Sequence, residues 1–104
     1  MSYDLITCII ERGRAERIID TALKNGAQAA TYFNGRGRGV REKLGVLGKF
    51  ISPEKEIILI VTKSDQTGTV FGAIATTGQL QLKGKGFAYV QKVEQAVGFI
   101  NEPA

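Results

Sequence analysis

The sequence has no histidine and no tryptophan, one cysteine and only two prolines among its 104 residues. Without histidine there is no imidazole base and no imidazole metal ligand. A lone cysteine can form neither an intrachain disulfide nor a thiolate zinc site, which fits a reducing compartment. Cys8 lies inside the apolar run Leu5-Ile6-Thr7-Cys8-Ile9-Ile10 and reads as a small core residue rather than a reactive thiol. The ten carboxylates are scattered, with no Asp-x-Asp cluster for a hard cation. A Gly-x-Ser-x-Gly elbow and a Walker A motif are both missing. No enzyme and no metal site are therefore expected. Nor does any apolar run reach the length of a membrane span: Leu5–Ile10 is too short and is followed by charge, so it serves neither as a span nor as a secretory signal. The expected location is cytoplasmic.

What is present is an ordinary globular composition, 43% hydrophobic, over a length that suits one domain, residues 1–104. A domain this small buries a limited share of its surface, so association with copies of itself would add stability. The net charge of +4 points to an anionic partner. The excess is clustered in Arg12, Arg14 and Arg17, then Arg36, Arg38 and Arg41, then Lys83 and Lys85.

Hydrophobic periodicity orders the chain. Leu5–Ile10 predicts a first strand, broken at Gly13. Arg14 to Asn25 carries Ala15, Ile18, Ile19, Ala22 and Leu23 at helical spacing, and Asn25-Gly26 supplies the stop. Ala29–Phe33 predicts a second strand. Gly35-Arg36-Gly37-Arg38-Gly39 follows, then an aperiodic stretch to Pro53. Glu56–Thr62 is the most strongly apolar strand. Ser64 is a candidate cap for a helix ending near Thr77, with Val70, Phe71, Ile74 and Ala75 turned to the sheet. Gly68 and Gly72 weaken that helix by about 1 kcal/mol each, so close packing against a neighbour is expected there. A second loop, Gly78 to Gly86, precedes a fourth strand at Phe87–Val90, and Val93–Ile100 is a short tail.

This order is a ferredoxin-like βαββαβ sandwich of the α+β class, a four-stranded antiparallel sheet with two helices on one face. The first and third strands are apolar on both faces, while the helices cover only one. The other face needs a cover, and a homo-oligomer supplies it.

The glycine-rich basic loops carry the functional signal. Lys85-Gly86-Phe87-Ala88-Tyr89-Val90 matches the start of an RNA-recognition octapeptide. That motif belongs on a third strand followed by a helix and a fourth strand, and Gln91–Ala104 is too short for both; Lys92 also stands where an aromatic should stack a base. Nucleic acid is therefore not the favoured partner, although Arg36-Gly37-Arg38-Gly39 could hold a single strand electrostatically. The other reading is a pair of phosphate loops, in which successive glycines let backbone N–H groups converge on an anion and Arg or Lys adds charge. A third reading is purely structural: Gly37 and Gly39 allow positive φ at a turn, and the arginines are solvated.

With the helix Ala15–Leu23 ended by Asn25-Gly26, then Thr31, Gly37-Arg38-Gly39, the excursion to Pro53, the strand Ile57–Val61 and Gly84-Lys85-Gly86 before Phe87–Val90, the chain resembles the PII signal-transduction proteins over nearly its full length. The likeness is greatest to PII-like branches concerned with transporters, inorganic carbon or metal handling. The resemblance implies a homotrimer binding ATP, ADP or AMP between subunits, with no covalent cofactor. It places a T-loop at about 36–55, which docks onto a protein target such as a membrane transporter or metabolic enzyme, and a B-loop at about 78–86. Carried over by position, Thr31 lies by the adenine, with Ile9, also in the nucleotide site, on the adjacent strand. Gly37 and Gly39, with Arg38, lie by the phosphates, as do Gly84, Lys85 and Gly86, flanked by Lys83 and Phe87. Arg41, Lys43, Leu44, Leu47 and Phe50 would present the T-loop to its target.

Four departures from the family pattern stand out. Phe87 replaces the usual B-loop lysine, leaving Lys85 to act from inside the turn. Glu56 stands where a lysine is usual. Gly98 and Ile100 lie near the places of two arginines. The T-loop has no tyrosine, which excludes its uridylylation. Similar trimeric CutA-type proteins show that the topology also serves as an adaptor without nucleotide.

Overall fold

The computed structural model describes residues 2–37 and 53–98. Its elements run β1 (Tyr3–Glu11), α1 (Ala15–Lys24), β2 (Ala29–Arg36), β3 (Glu54–Lys63), α2 (Thr67–Thr77) and β4 (Gly86–Val93). The strands form one antiparallel sheet in the order β2-β3-β1-β4. The ferredoxin-like arrangement is thus present, with both helices packed on the same face.

The period of two along the strands assigns each side chain to a face. Ile6, Cys8 and Ile10 of β1, with Ile58 and Ile60 of β3, meet Ala15, Ile18 and Ala22 of α1 and Val70 and Ile74 of α2 in the core. Each of these is at most 1% exposed. Cys8 sits among them, and burial pushes its thiol up to about 11, so it stays protonated and unreactive. Leu23, expected on the core stripe, is 48% exposed: it lies beyond the arc of α1 that the sheet covers.

Both helix starts differ from the usual side-chain cap. In α1 a distant acid caps from β3, where Glu56 Oε1 accepts the backbone N–H groups of Arg14 at 3.0 Å and Ala15 at 2.7 Å. A carboxylate there satisfies orphan donors and complements the helix dipole. Ser64 does not cap α2. The helix begins three residues later with Gln66 at the N-cap position, and the Ser64 hydroxyl is buried without a partner. Thr67 instead anchors this end. Thr62 lies 2.6 Å from its hydroxyl, which donates to Asp4 Oδ2 at 2.7 Å, so β1, β3 and α2 are tied by one polar chain. Gly68 and Gly72 are exposed, and nothing among the described residues lies within 4 Å of where their Cβ atoms would be, so no packing among the described residues compensates for them.

Candidate functional site

Strand register builds the open face of the sheet row by row. Phe33, Ile57, Ile9 and Phe87 form one row across β2, β3, β1 and β4; Thr31, Leu59, Thr7 and Tyr89 form the next. Ile9, Ile57 and Leu59 are half-buried, whereas Phe33 and Phe87 are 51% and 55% exposed. The Phe87 and Tyr89 rings stack with centroids 6.0 Å apart. Ile9, Thr31 and Phe87 share one face, but Ile9 is not on the strand next to Thr31 as expected, because β3 lies between β2 and β1. That face is the apolar surface the helices leave uncovered. The strand bearing the octapeptide-like run is at the edge of the sheet, and within that run Phe87 and Tyr89 are the residues whose register places them on the open face.

The two glycine loops lie at the same end of the sheet. The β2–β3 ladder continues to Arg36 opposite Glu54, and the Gly37 N–H donates to the Pro53 carbonyl at 2.9 Å. Arg36 pairs with Glu54 at 2.9 Å. These contacts pin the neck from which the long excursion leaves. On the opposite edge, Gly86 pairs with Ile10, so the loop carrying Lys83, Gly84 and Lys85 enters β4 at that same end. Two strands separate the edges, so three strand spacings, roughly 14 Å, lie between Gly37 and the Gly84–Gly86 loop within one chain.

The glycines fall into two kinds. Gly84 and Gly86 have φ of +80° and +125°. A Cβ at Gly86 would collide with the Ile9 carbonyl oxygen, so the turn itself demands glycine there. Gly37 has no positive φ, and nothing among the described residues lies within 4 Å of its missing Cβ. A positive φ therefore does not account for Gly37. Arg38, Gly39, Arg41, Lys43, Leu44, Leu47, Phe50 and Ile100 lie outside the described residues.

The sequence reading missed Glu11. Its Oε1 accepts from Arg14 NH1 at 3.3 Å and from Lys85 Nζ at 3.4 Å. A second Arg14 nitrogen donates to the Thr77 carbonyl at 3.5 Å. Lys55 stands directly across from Glu11 on β3 and is nearly buried. The only available hint was an acid closing an apolar strand beside a basic cluster. A shallow hollow of about 250 Å³ adjoins this group, lined by Gly13, Arg14, Arg17 and Gln79. Among the described residues no cluster of acids and cysteine could hold a metal ion, and no helix is long and apolar enough to cross a membrane.

A four-stranded antiparallel sheet with an open apolar face, two helices behind it, and two glycine-rich loops at one end define a ferredoxin-like α+β scaffold. The family model for the nitrogen regulatory protein P-II matches residues 3–100. Among solved structures, the PII protein of Arabidopsis thaliana bound to citrate superposes with a TM-score of 0.63 at 20% identity, covering 89% of this chain and 90% of that one. No curated protein matches significantly. The chain belongs to the nitrogen regulatory protein P-II family, a family of signal-transduction regulators.

Proposed function

We propose that the chain is a cytoplasmic regulator, not an enzyme, that binds an adenine nucleotide in clefts between the subunits of a homotrimer. The phosphates lie between Gly37–Gly39 of one subunit and Gly84–Gly86 of its neighbour. Ile9 and Thr31 flank the base, and Arg38, Lys83, Lys85 and Phe87 line the cleft. Nucleotide binding changes the state of the T-loop, and Arg41, Lys43, Leu44, Leu47 and Phe50 then engage or release a protein target such as a membrane transporter. This coupling requires only that the nucleotide bind the two loop states with different affinity.

The placement of the two loops carries the proposal. They share an end of the sheet but sit on opposite edges, too far apart for one small anion. A neighbouring copy can bring edge β4 against edge β2. The uncovered apolar face supplies the driving force for that neighbour, and the unexplained glycine at 37 leaves the backbone open to close approach.

Calorimetry with ATP, ADP, AMP, citrate and a short single-stranded RNA tests this reading. Saturable nucleotide binding that falls at least tenfold in Lys85→Ala and in Gly39→Val is expected. Salt-sensitive RNA binding without nucleotide binding would instead assign the Phe87–Tyr89 pair to base stacking. Binding of neither would leave an adaptor of the CutA type.

A further inference from the structure

We propose that Glu11 is the charge-selecting residue of the nucleotide cleft: it pairs with Lys85 and penalises ligands in proportion to their negative charge. The inference rests on the nucleotide reading above. Its starting point is that Lys85, the cation of the phosphate-side loop, is already engaged. Glu11 Oε1 lies 3.4 Å from its ammonium and 3.3 Å from Arg14 NH1. The carboxylate is held in place from two sides. Its backbone ends β1 opposite Lys55, and the Arg14 guanidinium that touches it is itself tied to the Thr77 carbonyl at the end of α2. Glu11 thus belongs to the rigid frame, whereas Lys85 rides on the loop that enters β4 through the obligate Gly86 turn.

A ligand phosphate that takes Lys85 must replace this carboxylate as its partner. The displaced carboxylate remains nearby, because Arg14 still holds it. Repulsion between fixed carboxylate and phosphate grows with the phosphate's charge and is only partly screened over a few ångströms. The Glu11 and Lys85 side chains are 40% and 34% exposed, so the effect is that of a half-solvated pair and not of a buried one. Glu11 therefore grades affinity rather than blocking binding, and it shifts preference toward nucleotides with fewer phosphates.

The test compares wild type with Glu11→Gln, which keeps the shape and can still accept from Arg14. Titration with ATP, ADP, AMP, pyrophosphate and adenosine is expected to show graded tightening in the variant. The expected gains are about fivefold for ATP and pyrophosphate, about twofold for AMP and none for adenosine. Acylation of Lys85 by an amine-reactive ester, read by mass spectrometry against Lys83, is expected to rise in the ligand-free variant. Glu11→Asp, whose shorter side chain withdraws the carboxylate, should raise Lys85 acylation as well and guards against a folding defect in the first variant. Unchanged Lys85 acylation in both variants, or an equal gain for adenosine and ATP, would overturn the proposal. Failure of every nucleotide to bind either protein would defeat the nucleotide reading alone, because the acylation contrast reads the Glu11–Lys85 contact without ligand.

Discussion

Gln79 holds φ at +54°, the only non-glycine with positive φ among the described residues. It occupies the position after the C-cap of α2, where its N–H reaches Thr76 O at 3.1 Å and the Leu80 N–H reaches Ala75 O at 3.0 Å. That pair of bonds is a Schellman closure, which favours glycine at this position. Glycine instead stands one residue earlier, at Gly78, because a Cβ there would press on Ile18 Cδ1 at 3.1 Å and Leu80 Cδ2 at 3.2 Å. Close approach to α1 has taken the glycine, and Gln79 bears the strain. Gln79→Gly should raise stability by about 0.5–1 kcal/mol at fixed protein concentration, read by denaturant unfolding. No gain would mean that the Gln79 side chain contributes as much as its backbone loses. Glu56 is the opposite case, a side chain serving two buried donors. Glu56→Ala should lose about 2 kcal/mol, with Glu56→Gln intermediate because its amide oxygen still accepts but carries no full charge. A thermal transition unchanged in the alanine variant would exclude the capping role. The same contact gives Glu56 a structural role that a lysine could not fill: an ammonium there could not accept from the α1 donors.

At the scale of elements, Gly68 and Gly72 lie on the exposed side of α2, with no described residue within 4 Å of where their Cβ atoms would be. Gly68→Ala and Gly72→Ala should each stabilise the helix by about 1 kcal/mol, and the two should nearly add, as measured by denaturant midpoints. A loss instead of a gain would show that another subunit packs against this helix in the assembly. Element type and order were legible because each strand and helix carries its own period. The run from Leu5 to Ile10 and the stripe from Ala15 to Leu23 needed no tertiary information. The ends were less legible, because ladder pairing extends them. Tyr3, Arg36, Glu54 and Val93 are polar or flanking residues drawn into strands by a neighbour's hydrogen bonds. Caps were least legible. Ser64 has the right chemistry two residues before the N-cap position, and the acid that caps α1 lies 41 residues from Ala15. The glycine loops announced themselves by composition, but Glu11 did not, since its partners Arg14 and Lys85 meet it only after folding.

Across the whole molecule, the open face sets the next requirement. Leu5, Ile9, Ile57, Leu59 and Val61 are only half-covered, and Phe33, Phe87 and Tyr89 stand exposed beside them on the same side of the sheet. Apolar side chains arranged this way around the middle strands lose free energy when water is excluded, at roughly 25 cal/mol for each Å² covered. The rim at one end is polar and charged, with Glu11, Lys55 and Lys85, so a partner copy would cover the apolar centre and leave a charged cleft at its margin. On the proposed reading, self-association and the nucleotide site are one construction, and a single substitution at the centre should disturb both. Leu59→Glu places an ionised group in the second row, between Thr31 and Thr7, without touching either glycine loop. Light scattering on the wild type should give three chains of 11.2 kDa, while the variant should run as a folded monomer by circular dichroism. Nucleotide affinity should fall at least a hundredfold in that monomer, because each subunit keeps only half of the cleft. A folded monomer that still binds ATP as the wild type does would show that one chain holds the whole site, and the cleft between edges β2 and β4 would have to be abandoned.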